Sequence, residues 1–230
     1  MEEHKIVVDV SETIRFFDEI PDYSVKQATS VVSVAGEDLA AGCLQRYLEK
    51  KEGATVCVRP ESVTTGRQKG PRLDRWIVVD WPDGSQVAFQ TEIKNWSAHA
   101  IGGEKLRLDI SSEELRDQKK KMWEWLWDSD DQSIKDYGHG KVLTSMKPPD
   151  DLADSRILPL LILWTPIAPE SEPDSCLFKV STNSSCDFRE LWVFSISSYL
   201  RSIKESKICL RMPIAAQRLG ILNRLFQISS

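Results

Sequence analysis

The sequence predicts an α/β protein with one central sheet between helices, and three observations favour this class. An amphipathic helix ends near residue 51, a strand hairpin follows at residues 73–94, and another amphipathic helix precedes a buried apolar strand. Helices that alternate with strands in this way cover the faces of a sheet. We expect a single domain over residues 1–230: a core of about 36–164, an N-terminal helical part at 1–35 and a C-terminal α/β extension at 165–230.

Helices dominate the first fifty residues. Ser11 caps a predicted short helix over 12–20. A longer helix over 24–51 ends at Gly53, because glycine readily adopts the left-handed conformation that terminates helices. Two adjacent rows of residues at i, i+4 spacing form its core-facing side: Leu39, Cys43 and Tyr47, and Ala40, Leu44 and Leu48.

Three strands are predicted next. The first covers residues 54–58, and a polar, glycine-containing loop at 61–71 separates it from a hairpin. The hairpin strands are Leu73 to Asp80 and Gln86 to Lys94, joined by the turn sequence Pro82-Asp83-Gly84.

The second half begins with a helix from Ser111 to about Trp127, because Ser111 and Glu114 form a capping-box sequence. Residues 128–154 are predicted to form a long surface loop. The remaining predicted elements are a buried strand at 157–164, an irregular stretch at 166–185, a strand at 191–196, a short helix capped by Ser197, a strand at 207–212 and a helix that starts at Pro213.

Composition is typical of a soluble globular protein, with 41% hydrophobic and 28% charged residues in 230. The longest apolar run, residues 157–164, is too short to cross a bilayer, and the acidic N-terminus has no signal-peptide apolar region. We therefore expect a cytoplasmic protein that makes no membrane contact. Five cysteines without a Cys-x-x-Cys pair argue against a disulfide framework or a zinc knuckle, and we expect buried, reduced thiols.

The hairpin carries a Glu-x-Lys sequence that could support metal-dependent chemistry. The same sequence occurs four times, at Glu3-His4-Lys5, Glu49-Lys50-Lys51, Glu92-Ile93-Lys94 and Glu205-Ser206-Lys207. The third lies inside a predicted strand, so Glu92 and Lys94 project to the same face. Asp74 on the partner strand pairs across from Glu92 or Lys94.

Two neighbouring carboxylates repel each other unless a cation or a proton lies between them. Oxygen ligands favour Mg²⁺ or Mn²⁺, and such an ion polarises a phosphoryl oxygen and acidifies a bound water. Lys94 would orient that water or stabilise the charge that develops. The alternative is a cross-strand salt bridge on a solvated face of the sheet.

Two further polar residues are predicted on the inner sides of helices. Glu37 shares the core-facing side of the first long helix, and Gln118 that of the second. An inward glutamate is costly without a partner or a site. The alternatives are an acid favoured by the helix dipole and a glutamine bonded to backbone at the core edge.

Together these residues resemble the PD-(D/E)XK nuclease superfamily, which has the restriction-endonuclease-like fold with an αβββαβ core. The resemblance covers residues 36–164. It implies that Asp74, Glu92, the Ile93 carbonyl and Glu37 bind metal and that Lys94 assists the attacking water. Two departures are that Pro71 lies three residues before Asp74, and that Met122 stands where exonuclease-like members carry Tyr after Gln118.

The resemblance implies a Mg²⁺- or Mn²⁺-dependent nuclease that acts on DNA, as an endonuclease rather than an exonuclease, in defence or DNA processing. RNA stays open as a substrate, and a homodimer is possible. The rival hypotheses are a noncatalytic nucleic-acid-binding or assembly module with the same fold, and a protein-interaction domain. Candidate phosphate contacts are basic residues in two stretches: Arg67, Lys69 and Arg72, and Lys119, Lys120 and Lys121.

Aromatic residues cluster on the second long helix. Trp123 and Trp127 share one face, and Trp125 points elsewhere. Core packing is the prediction for this cluster, with base stacking or subunit contact as alternatives. We interpret His99 and His139 as surface-loop residues.

Overall fold

The computed structural model describes residues 5–19, 25–59, 74–135 and 137–226. The strands are β1 (Lys5–Asp9), β2 (Thr55–Val58), β3 (Arg75–Asp80), β4 (Gln86–Lys94), β5 (Trp127–Asp128), β6 (Ser133–Ile134), β7 (Arg156–Leu163), β8 (Leu177–Ser181), β9 (Glu190–Ser195) and β10 (Lys207–Arg211). The α-helices are α1 (Val10–Ile14), α2 (Val25–Tyr47), α3 (Ser112–Leu126), α4 (Tyr137–Gly140), α5 (Ile196–Ser202) and α6 (Pro213–Phe226).

A six-stranded mixed sheet forms the centre of the protein, in the order β2-β3-β4-β7-β9-β8. The strands β2, β3 and β4 form an antiparallel meander. Strand β7 is parallel to β4, and a crossover that contains α3 connects them. Strand β9 is parallel to β7, and the chain between them forms strand β8. Strand β8 closes the far edge antiparallel to β9. The predicted α/β class with a mixed central sheet flanked by helices is confirmed.

Helices cover both faces of this sheet. On one face, α2 packs its buried Leu39, Leu44 and Leu48 against sheet residues such as Ile77 and Leu160. On the other face, α3 packs Met122, Trp123 and Leu126 against sheet residues that include Leu161, Leu163 and Val193. The alternation along β7, where neighbouring residues enter different cores, is the period-two pattern of a strand covered on both sides.

A separate two-stranded ribbon joins the first described strand to one near the end of the chain. Strands β1 and β10 pair antiparallel, with Lys5 opposite Arg211 and Asp9 opposite Lys207. Strand β10 was predicted; β1 was not, because a five-residue strand with no turn beside it leaves little local signal.

A buried polar network fastens the N-terminal segment to the sheet and to α5. Asp18, which lies in the π-helical turn Arg15–Glu19, is 1% exposed. Its Oδ1 accepts from Trp164 Nε1 at 2.7 Å, and its Oδ2 accepts from Ser197 Oγ at 2.7 Å and Arg201 Nη2 at 2.9 Å. The same guanidinium donates to the carbonyls of 106–108. The network therefore connects segments that are distant in the sequence.

Helix boundaries agree with the sequence at several points. The capping box at Ser111 and Glu114 is present, Pro213 is the first residue of α6, and Gly53 ends the α2 region with a φ of 66°. The predicted helix caps at Ser11 and Ser197 are wrong. Asp9 caps α1 because its carboxylate accepts from Glu12 N, and Ser195 caps α5 because its hydroxyl accepts from Ser198 N.

The loop predictions were too simple. Strand β8 lies within the stretch 166–185, which was predicted to be irregular. The region 128–154 contains the short ribbon β5–β6 and several single helical turns. All five cysteines are free, but Cys57 and Cys209 are exposed rather than buried. No helix in the described ranges is long and apolar enough to cross a membrane.

Candidate active site

The β3–β4 hairpin brings Asp74 and Glu92 together. The paired register of the two strands ends with Arg75 opposite Thr91; Asp74 directly precedes Arg75, and Glu92 directly follows Thr91. Asp74 lies just outside strand β3, and its N–H donates to the Thr91 carbonyl at 3.2 Å. The two carboxylates are close enough for the charge of Asp74 to raise the pKa of the Glu92 carboxyl. That both project from one face of the sheet stays a prediction.

Asp74 also holds the backbone of the next strand. Its Oδ2 accepts a hydrogen bond from the Ile93 N–H at 2.7 Å. This bond fixes the carboxylate beside the peptide that joins Glu92 to Ile93. The residue between Glu and Lys is therefore close to Asp74 through its backbone, while its side chain packs into the core on the α2 face.

Glu92 and Lys94 form a close ion pair. Glu92 Oε1 lies 2.6 Å from Lys94 Nζ, and Glu92 is 4% exposed. Burial raises the pKa of the Glu92 carboxyl because it disfavours the charged form; the Lys94 hydrogen bond lowers that pKa and the charge of Asp74 raises it again. The positive charge of Lys141, which lies in the 3₁₀ turn Lys141–Leu143, also lowers the pKa of Glu92.

A cavity of about 420 Å³ opens at this end of the hairpin. Its lining comes from α2, β3, β4 and α6: Val32, Glu37, Asp38, Asp74, Arg75, Ile93, Lys94, Asn95, Trp96, Ile214 and Arg218. Four of the predicted site residues, Glu37, Asp74, Ile93 and Lys94, thus meet at one cavity. Glu92 is not part of the lining, but its carboxylate contacts Lys94, which is.

A glycine permits α2 to approach the end of β4. A Cβ at Gly36 would lie 2.8 Å from Asn95 Nδ2, closer than non-bonded atoms tolerate. The absence of a side chain at Gly36 therefore leaves room for the Asn95 side chain beside α2, next to Glu37 in the cavity lining.

Glu37 and Asp38 are held by a buried arginine. Arg75 is 4% exposed, and its Nη2 lies 3.1 Å from Glu37 Oε2 and 3.6 Å from Asp38 Oδ1. Asp38 in turn accepts from the Ala215 N–H at 2.8 Å, in the first turn of α6. Glu37 thus lines the cavity, but it is partly exposed and paired with Arg75. The prediction that it faces the core is wrong. Asp38 is the acid that the helix buries.

The charges on the cavity wall are balanced. Three acids (Glu37, Asp38, Asp74) and three bases (Arg75, Lys94, Arg218) line it. This balance matters for an anionic ligand, because the basic groups offset the repulsion that the carboxylates alone would exert on a phosphate.

Gln118 faces inward, as predicted, but it does not line the cavity. It is 5% exposed and lies over Gly103, where a Cβ would be 2.6 Å from its Nε2. In the described part of the chain this Nε2 has no hydrogen-bond partner. An accessory role at the site stays a prediction.

The basic residues predicted to contact phosphate have different surroundings. Lys119 is buried and donates to the Pro173 carbonyl at 2.8 Å, which conflicts with an exposed phosphate contact. Burial lowers the pKa of Lys119. Lys120 pairs with Glu170 at 3.2 Å, and Lys121 lies 3.9 Å from Glu104. These three lysines do not line the cavity. Arg67, Lys69 and Arg72 lie outside the described residues.

Trp123 of α3 and Trp127 of β5 are core residues, as predicted, and Trp125 is partly buried against the same core. Trp123 and Trp127 stack with ring centroids 5.2 Å apart, and Trp123 also packs edge-on against Phe178. His99 is exposed, as predicted. His139 is fully buried, which corrects its interpretation as a surface residue.

Several residues at the site were missed by reading the sequence: Asp38, Arg75, Asn95, Trp96, Arg218 and Lys141. Arg75 and Trp96 had a usable signal, since each lies within two residues of the hairpin acids or Lys94. Arg218 and Lys141 had none, because only the tertiary fold brings α6 and the turn after α4 to this place.

The donor set suits a hard divalent cation, since carboxylates and a backbone carbonyl are oxygen ligands. Among the described residues, however, no three His, Cys, Asp or Glu side chains gather closely enough to hold a metal ion. Two of the acids are instead paired with cationic side chains, Glu92 with Lys94 and Glu37 with Arg75. The residues therefore fit the ion chemically, with two of the acids held by cationic partners.

Comparisons of the chain with models of known protein families, with curated proteins and with solved structures find no match.

Proposed function

We propose that this protein is a Mg²⁺-dependent nuclease of the PD-(D/E)XK type that hydrolyses phosphodiester bonds in DNA. The proposal rests on one observation: four predicted residues, from three separate points of the sequence, line one cavity. Glu37 comes from α2, Asp74 from the start of β3, and Ile93 and Lys94 from the end of β4. A scattered set of surface salt bridges would have no reason to converge in this way.

The order of elements supports the same proposal. Helix α2, the meander β2-β3-β4, helix α3 and strand β7 follow one another in the αβββαβ order of the restriction-endonuclease-like core. Met122 on α3 packs in the core at 2% exposure, where exonuclease-like members carry a tyrosine. This difference favours an endonuclease.

In this proposal Asp74, Glu92, the Ile93 carbonyl and Glu37 hold Mg²⁺. The ion would polarise a phosphoryl oxygen and lower the pKa of a bound water. Asp74 keeps the peptide of Ile93 in place through its 2.7 Å hydrogen bond. Lys94 exchanges its contact with Glu92 for the attacking water and for the negative charge that develops on the phosphate.

The test is cleavage of supercoiled plasmid and of linear duplex DNA, in Mg²⁺ and in EDTA, by wild type, Asp74→Ala and Lys94→Ala. We expect each variant to cleave roughly 100- to 1,000-fold more slowly, as for the loss of one group that stabilises transition-state charge. Lys207→Ala is the matched control, since Lys207 belongs to an exposed Glu-x-Lys sequence. Equal cleavage by wild type and both site variants, at unchanged thermal stability, would reject the nuclease.

A noncatalytic nucleic-acid-binding module is the second candidate, and two observations favour it. Lys94 is already neutralised by Glu92 at 2.6 Å, and no metal-holding group of three acids gathers among the described residues. In that case wild type binds DNA without Mg²⁺-dependent cleavage. Asp74→Ala would then leave DNA affinity unchanged or raise it, because it removes a negative charge from the cavity.

A further inference from the structure

An exposed tryptophan stands at the rim of the cavity. Trp96 follows the Glu92-Ile93-Lys94 sequence by two residues, lines the cavity and is 47% exposed. A large aromatic side chain that leaves half its surface in water gives up much of the free energy that its burial would supply. The exposed part of the Trp96 ring is therefore available for contact with a ligand in the cavity.

The ring of Trp96 is held in place from behind. His139 is fully buried, and its ring lies edge-to-face with Trp96, with centroids 5.4 Å apart. His139 makes a second edge-to-face contact, also at 5.4 Å, with Trp125 of α3. A buried ring supported by a second indole limits the motion of Trp96, so that its exposed part is presented to the cavity in a fixed orientation.

The position of Lys94 relates this ring to the proposed chemistry. Lys94 Nζ lies over the Trp96 ring, 5.9 Å from its centroid, within the range of a cation–π contact. A nucleotide whose phosphate meets Lys94 can therefore bring its own or an adjacent base to the same indole. Base–aromatic stacking accepts any base, because every base has a π-face.

Bases inside a duplex are stacked on their neighbours, so an indole can stack on a base only where that base is unpaired. We infer that Trp96 is a stacking platform for an unpaired nucleotide beside the scissile phosphate. The preferred substrate is then DNA with a single-stranded segment, such as an overhang or a flap, rather than a continuous duplex. This inference rests on the proposed nuclease function and adds the substrate class.

The experiment compares the binding of three fluorescent DNA probes: a single strand, a blunt duplex of the same sequence, and a duplex with a single-stranded overhang. Ca²⁺ replaces Mg²⁺ so that binding is measured separately from cleavage. The proteins are wild type, Trp96→Phe, Trp96→Leu and the control Trp81→Leu. Trp81 lies at the opposite end of the β3–β4 hairpin, in its turn region, and packs against Trp192.

We expect wild type to bind the single strand and the overhang more tightly than the blunt duplex. Trp96→Leu should weaken binding to the single strand by roughly 5- to 150-fold, the range for losing one stacked base, and leave duplex binding within about twofold. Trp96→Phe, which keeps a smaller aromatic face, should fall between them. Trp81→Leu should bind all three probes as wild type does.

Two outcomes would overturn the inference, and they are distinguishable. If Trp96→Leu binds the single strand as tightly as wild type, or if wild type prefers the blunt duplex, the stacking platform is wrong. Wild-type cleavage in Mg²⁺ would then show that the nuclease proposal still stands. If wild type neither binds nor cleaves any of the three probes, the nuclease proposal fails and the inference fails with it.

Discussion

Asp18 and Glu92 are both buried carboxylates paired with a cation, and they differ in what surrounds the pair. Burial raises the pKa of each. The groups that act on Asp18, namely Arg201, Ser197 and Trp164, all favour its ionised form. Glu92 has the support of Lys94 but also the repulsion of Asp74. In the first cluster each of these neighbours stabilises the carboxylate, while in the second another carboxylate opposes it.

The comparison separates two uses of buried charge. A complete network such as that of Asp18 fixes distant segments of the chain in one arrangement. A cluster in which a second carboxylate opposes the first gains less from its charges in the folded state, because the two carboxylates repel each other. The substitutions below test this distinction, from the largest expected effect to the smallest.

Replacing Asp18 should have the largest effect, on stability. Asp18→Asn leaves Arg201 buried without its counter-ion, and such losses cost about 3–5 kcal/mol. Urea unfolding monitored by circular dichroism measures the change. The control is Glu12→Gln, which breaks the exposed pair of Glu12 with Arg15 at 2.6 Å and should cost less than about 1 kcal/mol. Equal stabilities of the two variants would contradict a structural role for the Asp18 network.

Replacing Glu37 should act on metal affinity more than on stability. Glu37→Gln removes one proposed ligand charge, so we expect its affinity for Mg²⁺ to be roughly 10- to 100-fold weaker. Half-maximal cleavage should then require a correspondingly higher Mg²⁺ concentration. Its pair with Arg75 is partly exposed, so the free energy of unfolding should change by less than about 1 kcal/mol. Glu205→Gln, in the exposed Glu-x-Lys sequence, is the matched control. An unchanged Mg²⁺ dependence in Glu37→Gln would restrict Glu37 to its pair with Arg75.

Acidity should change stability through Glu92 in a definite direction. The folded pKa of Glu92 lies above its ordinary value of 4.5, so the folded state binds more protons than the unfolded state between the two values. Stability contributed by Glu92 is therefore present at pH below 4.5 and is lost as pH rises through the folded pKa, by at most about 1.4 kcal/mol per pH unit.

Urea unfolding in EDTA across this pH range, for wild type and Glu92→Gln, checks that prediction. The groups that act on the titration of Glu92 are Asp74, Lys94 and Lys141. We expect the stability difference between the two proteins to depend on pH. A difference that stays constant with pH would mean that Glu92 does not titrate with a raised pKa.

Asp74→Asn should have the smallest effect on stability and the opposite tendency to Asp18→Asn. The amide oxygen can still accept from the Ile93 N–H, while the repulsion with Glu92 disappears. We expect the free energy of unfolding at neutral pH to be unchanged or raised by about 0.5 kcal/mol, although cleavage is lost. A loss of stability as large as that of Asp18→Asn would remove the contrast between the two clusters.

The sequence predicts the sheet and the hairpin well because their signals are local. Alternating apolar residues, the Pro82-Asp83-Gly84 turn and the Ser111 capping box each act over a few residues. The convergence of Asp74 with Glu92 followed from the turn alone, because turn position sets the register of a hairpin. The Asp18–Arg201 pair and the Arg75 contact with Asp38 were missed, since they depend on how distant segments pack.

The ribbon of β1 and β10 has a consequence for the timing of folding. Its two strands, Lys5–Asp9 and Lys207–Arg211, are separated by about 200 residues. At about 5–20 residues per second, a ribosome needs roughly 10–40 s to make that stretch. Throughout this time β1 has no partner strand. The growing chain therefore keeps β1 as an unpaired strand, which is a site of aggregation, until residues 207–211 have been synthesised.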